Sequence, residues 1–172
     1  MHVLIIGVAG TGKSYLVNRL REKGINVVDA DSDIGLAKFI NSKGNEVRYN
    51  PKGGNKWWST HFHVLNIRVL KKLLKENKTL YLFGHVGGQP GKGNGIFNVI
   101  NLFDKVFYLS APKRLIANRI KIRTDNPFGK HPEELKGVLY SKDKEDRMAR
   151  ILGLQFIDAT LPTGKIIKII IS

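Results

Sequence analysis

Gly7-Val8-Ala9-Gly10-Thr11-Gly12-Lys13-Ser14 is the stretch that decides how this chain is read. An apolar β run, Val3 to Ile6, stands directly before it. Ser14-Tyr15-Leu16-Val17-Asn18-Arg19-Leu20 follows, with Leu16, Val17 and Leu20 at helical spacing and Gly24 as a stop. The eight residues match G-x-x-x-x-G-K-[ST] in full, and a strand before and a helix after form the context the pattern requires. Glycines let successive backbone N–H groups curl around a phosphate, and the helix N-terminus adds its partial positive charge. Gly7 through Tyr15 are therefore expected to cradle a nucleotide. Lys13 would neutralise the β- and γ-phosphates, and the Ser14 hydroxyl would ligate Mg²⁺.

Working outward, apolar strands alternate with helical patterns. A second short strand, Ile25 to Val28, ends in Asp29-Ala30-Asp31-Ser32-Asp33, where a helix with Ile34, Leu36, Ala37 and Ile40 on its apolar side is expected to begin. Residues 43–56 read as a loop with an extended piece at Glu46 to Tyr49. Ser59 to Lys78 reads as a long helix, because Phe62, Leu65, Val69 and Leu73 keep i, i+3/i+4 spacing with Ser59 or Thr60 as cap. Thr79 to Phe83 is a buried strand, Ile96 to Leu102 a short helix, Lys105 to Leu109 a fourth strand, and Pro112 to Arg123 a helix. Residues 125–150 are polar and expected to be helical in pieces. Phe156 and Ile157 make a fifth strand ending at Asp158, and Lys165 to Ile171 is ambiguous between strand and helix. Such alternation means βαβ units and a parallel sheet covered on both faces. One α/β domain over residues 1–172 is expected.

Composition narrows the classes. At 172 residues one core suffices without a staple. With no cysteine, a disulfide scaffold, a Cys-ligated metal and a thiol nucleophile are excluded. No apolar run reaches the roughly 18 residues of a membrane span, and Met1-His2-Val3-Leu4-Ile5-Ile6-Gly7 lacks the layout of a signal peptide. A cytoplasmic protein is expected. The abnormal figure is charge: 29 basic minus 14 acidic residues gives +15. Residues 38–78 hold +8 of it (ten basic, two acidic) and residues 112–150 hold +5 (eleven basic, six acidic). A field of that sign suits an anionic ligand, whether nucleotide, phosphometabolite or nucleic acid, or else a lysine-rich solvated surface.

The motifs beside the loop decide among nucleotide-binding classes. No N-K-x-D base-reading pattern is present, and the strand Leu80 to Phe83 ends in Gly84 instead of an Asp-Glu pair. Two acids, Asp29 and Asp31, follow the second strand. In a parallel sheet that position lies at the carboxyl edge, beside the glycine loop, where ligands bind. Two carboxylates there can hold Mg²⁺ through water and accept a proton from an acceptor hydroxyl. Asp33 reads as a first-turn helix residue favoured by the dipole.

With these residues placed, the chain resembles the small P-loop kinases of the adenylate kinase and shikimate kinase group. Four landmarks carry the resemblance over nearly the whole chain: the P-loop, Asp29-x-Asp31, the turn Gly84-His85-Val86-Gly87-Gly88, and Ile157-Asp158-Ala159-Thr160-Leu161-Pro162. The resemblance implies a three-layer α/β/α P-loop NTPase with a five-stranded parallel sheet in the order 2-3-1-4-5. It also implies an arginine-bearing lid, residues 124–150 or so, between the fifth helix (Pro112 to Arg123) and the last strand. It places Asp29 nearer the metal, with Ser14, and leaves Asp31 to accept the acceptor's proton. It points to Arg119 and Arg123 as the phosphate clamps, and to Arg119 with Thr160 to Pro162 as the adenine contacts. Arg123-Thr124-Asp125-Asn126-Pro127-Phe128-Gly129-Lys130-His131-Pro132-Glu133-Glu134-Leu135 further resembles a run in poorly characterised bacterial and phage proteins described as AAA-type ATPases or kinases. The Phe-Arg-x-x-Glu pattern of shikimate kinase is not present, although Arg68 stands on the comparable helix.

Among the remaining residues, the stretch 84–95, with six glycines in twelve positions, reads either as a cradle for an acceptor's anionic group or as a surface loop. Arg114 reads as solvated. His61 and His63, as an i, i+2 pair on a helix, would not share a face, so with His85 they are expected to be structural or acceptor-contacting and not to bind a metal. Trp57 and Trp58 read as an apolar anchor or a base-stacking pair. The expected activity is ATP- and Mg²⁺-dependent transfer of a γ-phosphoryl group to a small acceptor, a nucleoside or nucleotide first. A polynucleotide 5′-hydroxyl kinase and a non-catalytic ATP-binding regulatory module remain the alternatives.

Overall fold

The computed structural model describes residues 1–33 and 35–172, Asn55 by its backbone alone. The chain runs β1 (His2–Ile6), α1 (Lys13–Arg21), β2 (Val27–Asp29), β3 (Ala37–Asn41), β4 (Glu46–Val47), α2 (Gly54–Trp58), β5 (His61–Leu65) and α3 (Ile67–Glu76). It continues through β6 (Leu80–Gly84), β7 (Lys105–Ser110), α4 (Lys113–Ile122), α5 (Pro132–Ile151), β8 (Gln155–Asp158) and α6 (Thr163–Ile171). Two single-turn 3₁₀ segments, Ile96–Asn98 and Ile100–Leu102, stand where one short helix was expected.

The main sheet has five parallel strands in the order β2-β6-β1-β7-β8. This is the expected 2-3-1-4-5 topology, renumbered by three extra strands. β1 lies in the middle with Val3, Leu4, Ile5 and Ile6 fully buried. Its side chains alternate across the sheet. Val3 and Ile5 join Leu16, Leu20, Ile116, Ile120 and Ile166 of α1, α4 and α6 on one face. Leu4 and Ile6 join Leu70 of α3 and Ala149 of α5 on the other. Helices on both faces make it a three-layer α/β/α domain, and among the described residues no helix is long and apolar enough to cross a membrane.

The segment between β2 and α3 departs from the expectation. Residues 37–41 and 61–65, read as helical, are antiparallel strands of a second sheet in the order β4-β3-β5. Asn41 explains the first change: its Oδ1 accepts from Lys43 N and Asn45 N, both at 3.0 Å, and closes a hairpin between β3 and β4. Ile34, expected on that helix, lies outside the described residues. The second change has its signal in Asn66, whose Oδ1 accepts from Val69 N at 3.2 Å and caps α3. The helix therefore begins at Ile67, and the apolar spacing of Phe62 and Leu65 continued a period that the backbone does not follow. The extended piece at Glu46 is present as β4.

Two further points differ or resolve. Residues 132–151 form one continuous helix in place of several pieces, begun by Pro132 with Glu133 and Glu134 in its first turn. The ambiguous tail is helix α6, which buries Ile166, Ile167 and Ile170 against the first core face.

Candidate active site

The glycine loop joins β1 to α1 at the carboxyl edge of the sheet. Gly12 takes φ +102°, in the left-handed region. A Cβ at Gly7 would meet Leu109 O at 2.6 Å, so a larger residue would push the loop off β7. The first-turn N–H groups of Lys13, Ser14 and Tyr15 have no carbonyl inside the helix to bond. Lys13 Nζ is buried and donates to Gly7 O at 2.6 Å and to Val8 O at 3.3 Å, which holds its ammonium at the loop. The Thr11 hydroxyl donates to Val8 O at 2.9 Å and stiffens the same turn. The side chain of Tyr15 is exposed beneath Arg19, whose guanidinium stands 5.2 Å from the ring centre. Tyr15 is thus placed to serve the cradle through its backbone alone.

The acids after β2 meet this loop. Ser14 Oγ donates to Asp29 Oδ2 at 3.5 Å, and Asp29 Oδ1 accepts from Asp31 N at 3.0 Å. Asp33 Oδ2 accepts from Asp29 N and from Arg21 Nη2, each at 2.7 Å, so it is a local brace in a turn ahead of β3 and not the first-turn helix residue expected. Burial pushes the Asp29 carboxyl above the usual range, and the neighbouring Asp31 charge adds to the rise. Such a carboxylate gains from a cation beside it. Two hard oxygen donors at this separation suit Mg²⁺, whose adjacent ligands stand about 3 Å apart. Among the described residues no cluster of three or more acids or histidines could hold a metal alone, so Ser14 and Asp29 fit an ion shared with phosphate oxygens.

Asp31 is exposed, and both its carboxylate oxygens accept from His85 N at 3.1 Å across the ends of β2 and β6. His85 Nε2 in turn stands 2.6 Å from Glu145 Oε1 on α5. Burial alone would lower the His85 imidazole, but the Glu145 carboxylate outweighs it and the net shift is upward. Burial lowers His63, with the Asp31 charge opposing that shift and His85 adding to it by its charge.

The arginines are placed differently from each other. Arg119 Nη1 donates to Thr11 O at 3.0 Å and Nη2 to Ala159 O at 3.1 Å, which ties the glycine loop to the turn after β8. Thr160 and Pro162 lie in that turn, with Thr160 N donating to Asp158 Oδ1 at 2.8 Å. Arg119 and residues 160–162 are thereby brought together as expected. Arg123, expected as a phosphate clamp, faces the lid loop instead: Nη2 donates to Phe128 O, and Nε is buried with no hydrogen-bond partner among the described residues. A cleft of about 1050 Å³, lined among others by Arg114, Asn118, Lys121, Lys130 and Thr160, opens between α4 and the lid, with no glycine-loop residue on its walls.

On the small sheet, His61 and His63 occupy alternate positions of β5 and so share a face, contrary to the helical expectation. His61 stacks on Trp57 at 4.5 Å and His63 on Phe39 at 4.4 Å. Trp57 is buried in this aromatic cluster, and Trp58 Nε1 donates to Glu134 Oε1 at 3.5 Å. The tryptophan pair is an anchor. Glu134 also accepts from Tyr49 OH at 2.5 Å and from Gly129 N at 2.8 Å, which fastens the lid loop to the small sheet. Neither Glu134 nor the His85–Glu145 pair was visible as a site in the sequence, since Tyr49 and Trp58 lie 85 and 76 residues from Glu134, and His85 lies 60 from Glu145.

The fold recurs in solved structures. A deoxyadenosine kinase from M. mycoides with bound dATP is 17% identical and superposes with a TM-score of 0.51 over 99% of this chain and 97% of its own. A shikimate kinase from Acinetobacter baumannii in complex with shikimate is 19% identical, with a TM-score of 0.60 over 99% and 92%. The chain has the fold of the small P-loop kinases. A gluconokinase from Sinorhizobium meliloti, 13% identical with a TM-score of 0.50 over 97% and 87%, shares this P-loop kinase fold. No protein-family profile matches the chain, and no curated protein matches it in sequence.

Proposed function

We propose that this chain is an ATP-dependent phosphotransferase that moves the γ-phosphoryl group to a small acceptor, with a nucleoside or nucleotide as the acceptor class. The observation that carries the reading is the meeting of Ser14 with Asp29 at 3.5 Å beside the buried Lys13 ammonium. That is the donor half of a phosphoryl-transfer site. The α1 N–H groups of Lys13, Ser14 and Tyr15, with Lys13 Nζ, bind the β- and γ-phosphates. Ser14 and Asp29 would hold Mg²⁺, which when bound would neutralise charge on the β- and γ-phosphates. Arg119 braces the loop and borders the base with Thr160 and Pro162. Asp31 accepts the acceptor's hydroxyl proton as the new O–P bond forms and the bond to the leaving ADP oxygen breaks. Arg123 holds the lid loop through Phe128 O and is given no part in the transfer.

In this reading the acceptor's planar base meets the half-buried ring of His63, which feels the Asp31 charge and is backed by Phe39, itself stacked on both His63 and Tyr49. Likeness to a deoxyadenosine kinase over 99% of the chain agrees with it. The test is transfer of labelled phosphate from [γ-³²P]ATP to deoxyadenosine, deoxycytidine, nucleoside monophosphates, shikimate, gluconate and a 5′-hydroxyl oligonucleotide. Labelling of nucleosides or nucleotides is the expected result. Labelling of shikimate, gluconate or the oligonucleotide alone overturns the acceptor class, and MgATP binding with no labelling overturns the enzyme.

A further inference from the structure

We propose that Glu145 and His85 are positioning residues for Asp31, so that helix α5 carries part of the support of the reacting edge. This rests on the reading of Asp31 as proton acceptor. Asp31 lies on an exposed turn, and a carboxylate there is free to turn unless something holds it. The His85 N–H does so, at 3.1 Å from both oxygens. Where that N–H points is set by the chain leaving β6. Gly84 approaches β2 so closely that a Cβ there would stand 2.8 Å from the Ala30 Cβ, so a shift at residue 85 is passed to the Asp31 turn.

The His85 side chain fixes that exit. Its Nε2 is 2.6 Å from Glu145 Oε1, and both side chains are largely buried, at 24% and 15% exposure. Glu145 Oε2 is buried with no hydrogen-bond partner among the described residues. A carboxylate so placed depends on the one imidazole facing it. One turn away, Lys142 Nζ donates to Asp146 Oδ2 at 2.6 Å and to Ser110 Oγ at 3.4 Å, which fastens α5 to the end of β7 as well. The same helix starts with Glu134, bound to Tyr49, Trp58 and the lid residue Gly129. One rigid element therefore joins the lid loop and the small sheet to the backbone donor of Asp31. Among the described residues Glu145 bonds no glycine-loop residue, so the proposal expects the effect on Asp31 and not on nucleotide binding.

The test uses the full chain in Glu145→Gln, Glu145→Leu, His85→Gln and Asp31→Asn forms. The His85 amide is followed by ¹H–¹⁵N spectroscopy and hydrogen exchange. MgATP affinity is measured by calorimetry, and ADP release from MgATP without added acceptor gives the turnover. The wild-type His85 amide should be protected and should move in Asp31→Asn. In Glu145→Leu its protection should fall by about 10-fold or more as the edge opens locally, and Glu145→Gln should shift it the same way by less. Turnover should fall by up to about 10²-fold, as a misplacement near 1 Å costs, while the KM for MgATP changes by less than about two-fold. His85→Gln, whose amide can still reach Glu145, should recover part of the loss. An unchanged residue 85 amide in both Glu145 variants overturns the proposal, as does an equal loss of turnover and MgATP affinity. Normal turnover in Asp31→Asn with a displaced amide would sink the proton-acceptor role instead, so the two failures are separable.

Discussion

Replacing Arg119 by alanine removes the brace between the glycine loop and the turn after β8. Two bonds from a charged donor are lost, to Thr11 O at 3.0 Å and to Ala159 O at 3.1 Å. Charge-assisted bonds contribute about 1.5–3 kcal/mol each, and a partly exposed guanidinium belongs at the lower end, so the loss is about 3 kcal/mol. Lysine reaches one carbonyl but not both, and should cost about half as much. For a chain of this size 1 kcal/mol moves Tm by about 2–4 °C, which gives roughly 6–12 °C for Arg119→Ala and 3–6 °C for Arg119→Lys. Because Thr11 belongs to the phosphate cradle, MgATP affinity should fall with stability, by about 10-fold for each 1.4 kcal/mol of the loss that reaches the loop. Thermal unfolding with and without MgATP, together with calorimetric titration, measures both. An alanine variant that melts within about 1 °C of the parent and binds MgATP as tightly refutes the bracing role. If such a variant also loses turnover, Arg119 acts on the moving phosphoryl group itself.

Lys13→Ala should keep the fold and abolish phosphoryl transfer, since its ammonium bonds only carbonyls of the loop it serves; circular dichroism and ADP release check the two halves. Asp29→Asn should raise Tm at neutral pH without Mg²⁺, because burial holds that carboxyl above its ordinary 3.8 and its ionised form destabilises the native state as pH rises through the interval. The same variant should need more Mg²⁺ for turnover, whereas Asp31→Asn should lose turnover at saturating Mg²⁺. The His85–Glu145 pair should contribute stability fully below pH 6.5 and lose it as pH rises through the higher native value, with Asp31 favouring the imidazolium and Lys13 opposing it. The Tm gap between wild type and Glu145→Gln should therefore shrink with rising pH, and a gap independent of pH refutes an ionised pair.

The alternation of apolar runs with helical spacing was enough to read a parallel sheet covered on both faces, and the resemblance to small P-loop kinases supplied its strand order. Local chemistry also located the glycine loop and the acids after β2, since their partners lie within a turn or at an adjacent strand end. The tail was unreadable in isolation, since Ile166 to Ile171 favour strands by propensity and only the covered face of the sheet makes them a helix.

The small sheet shows the other side. Ser59 to Leu65 carries helical spacing, yet β5 forms because β3 offers five antiparallel partners, from Ala37 opposite Leu65 to Asn41 opposite His61. Strand pairing is a non-local gain that no window of sequence contains. The cap at Asn66 was the one local clue. The same holds for function. Residue type and spacing marked Lys13, Ser14, Asp29 and Asp31 from the sequence alone. That Arg119 braces the loop, that Arg123 faces the lid, and that His85 and Glu145 stand behind Asp31 was decided only by tertiary packing. Hydrogen bonds spanning 60 or 108 residues exist only once the helices have docked on the sheet.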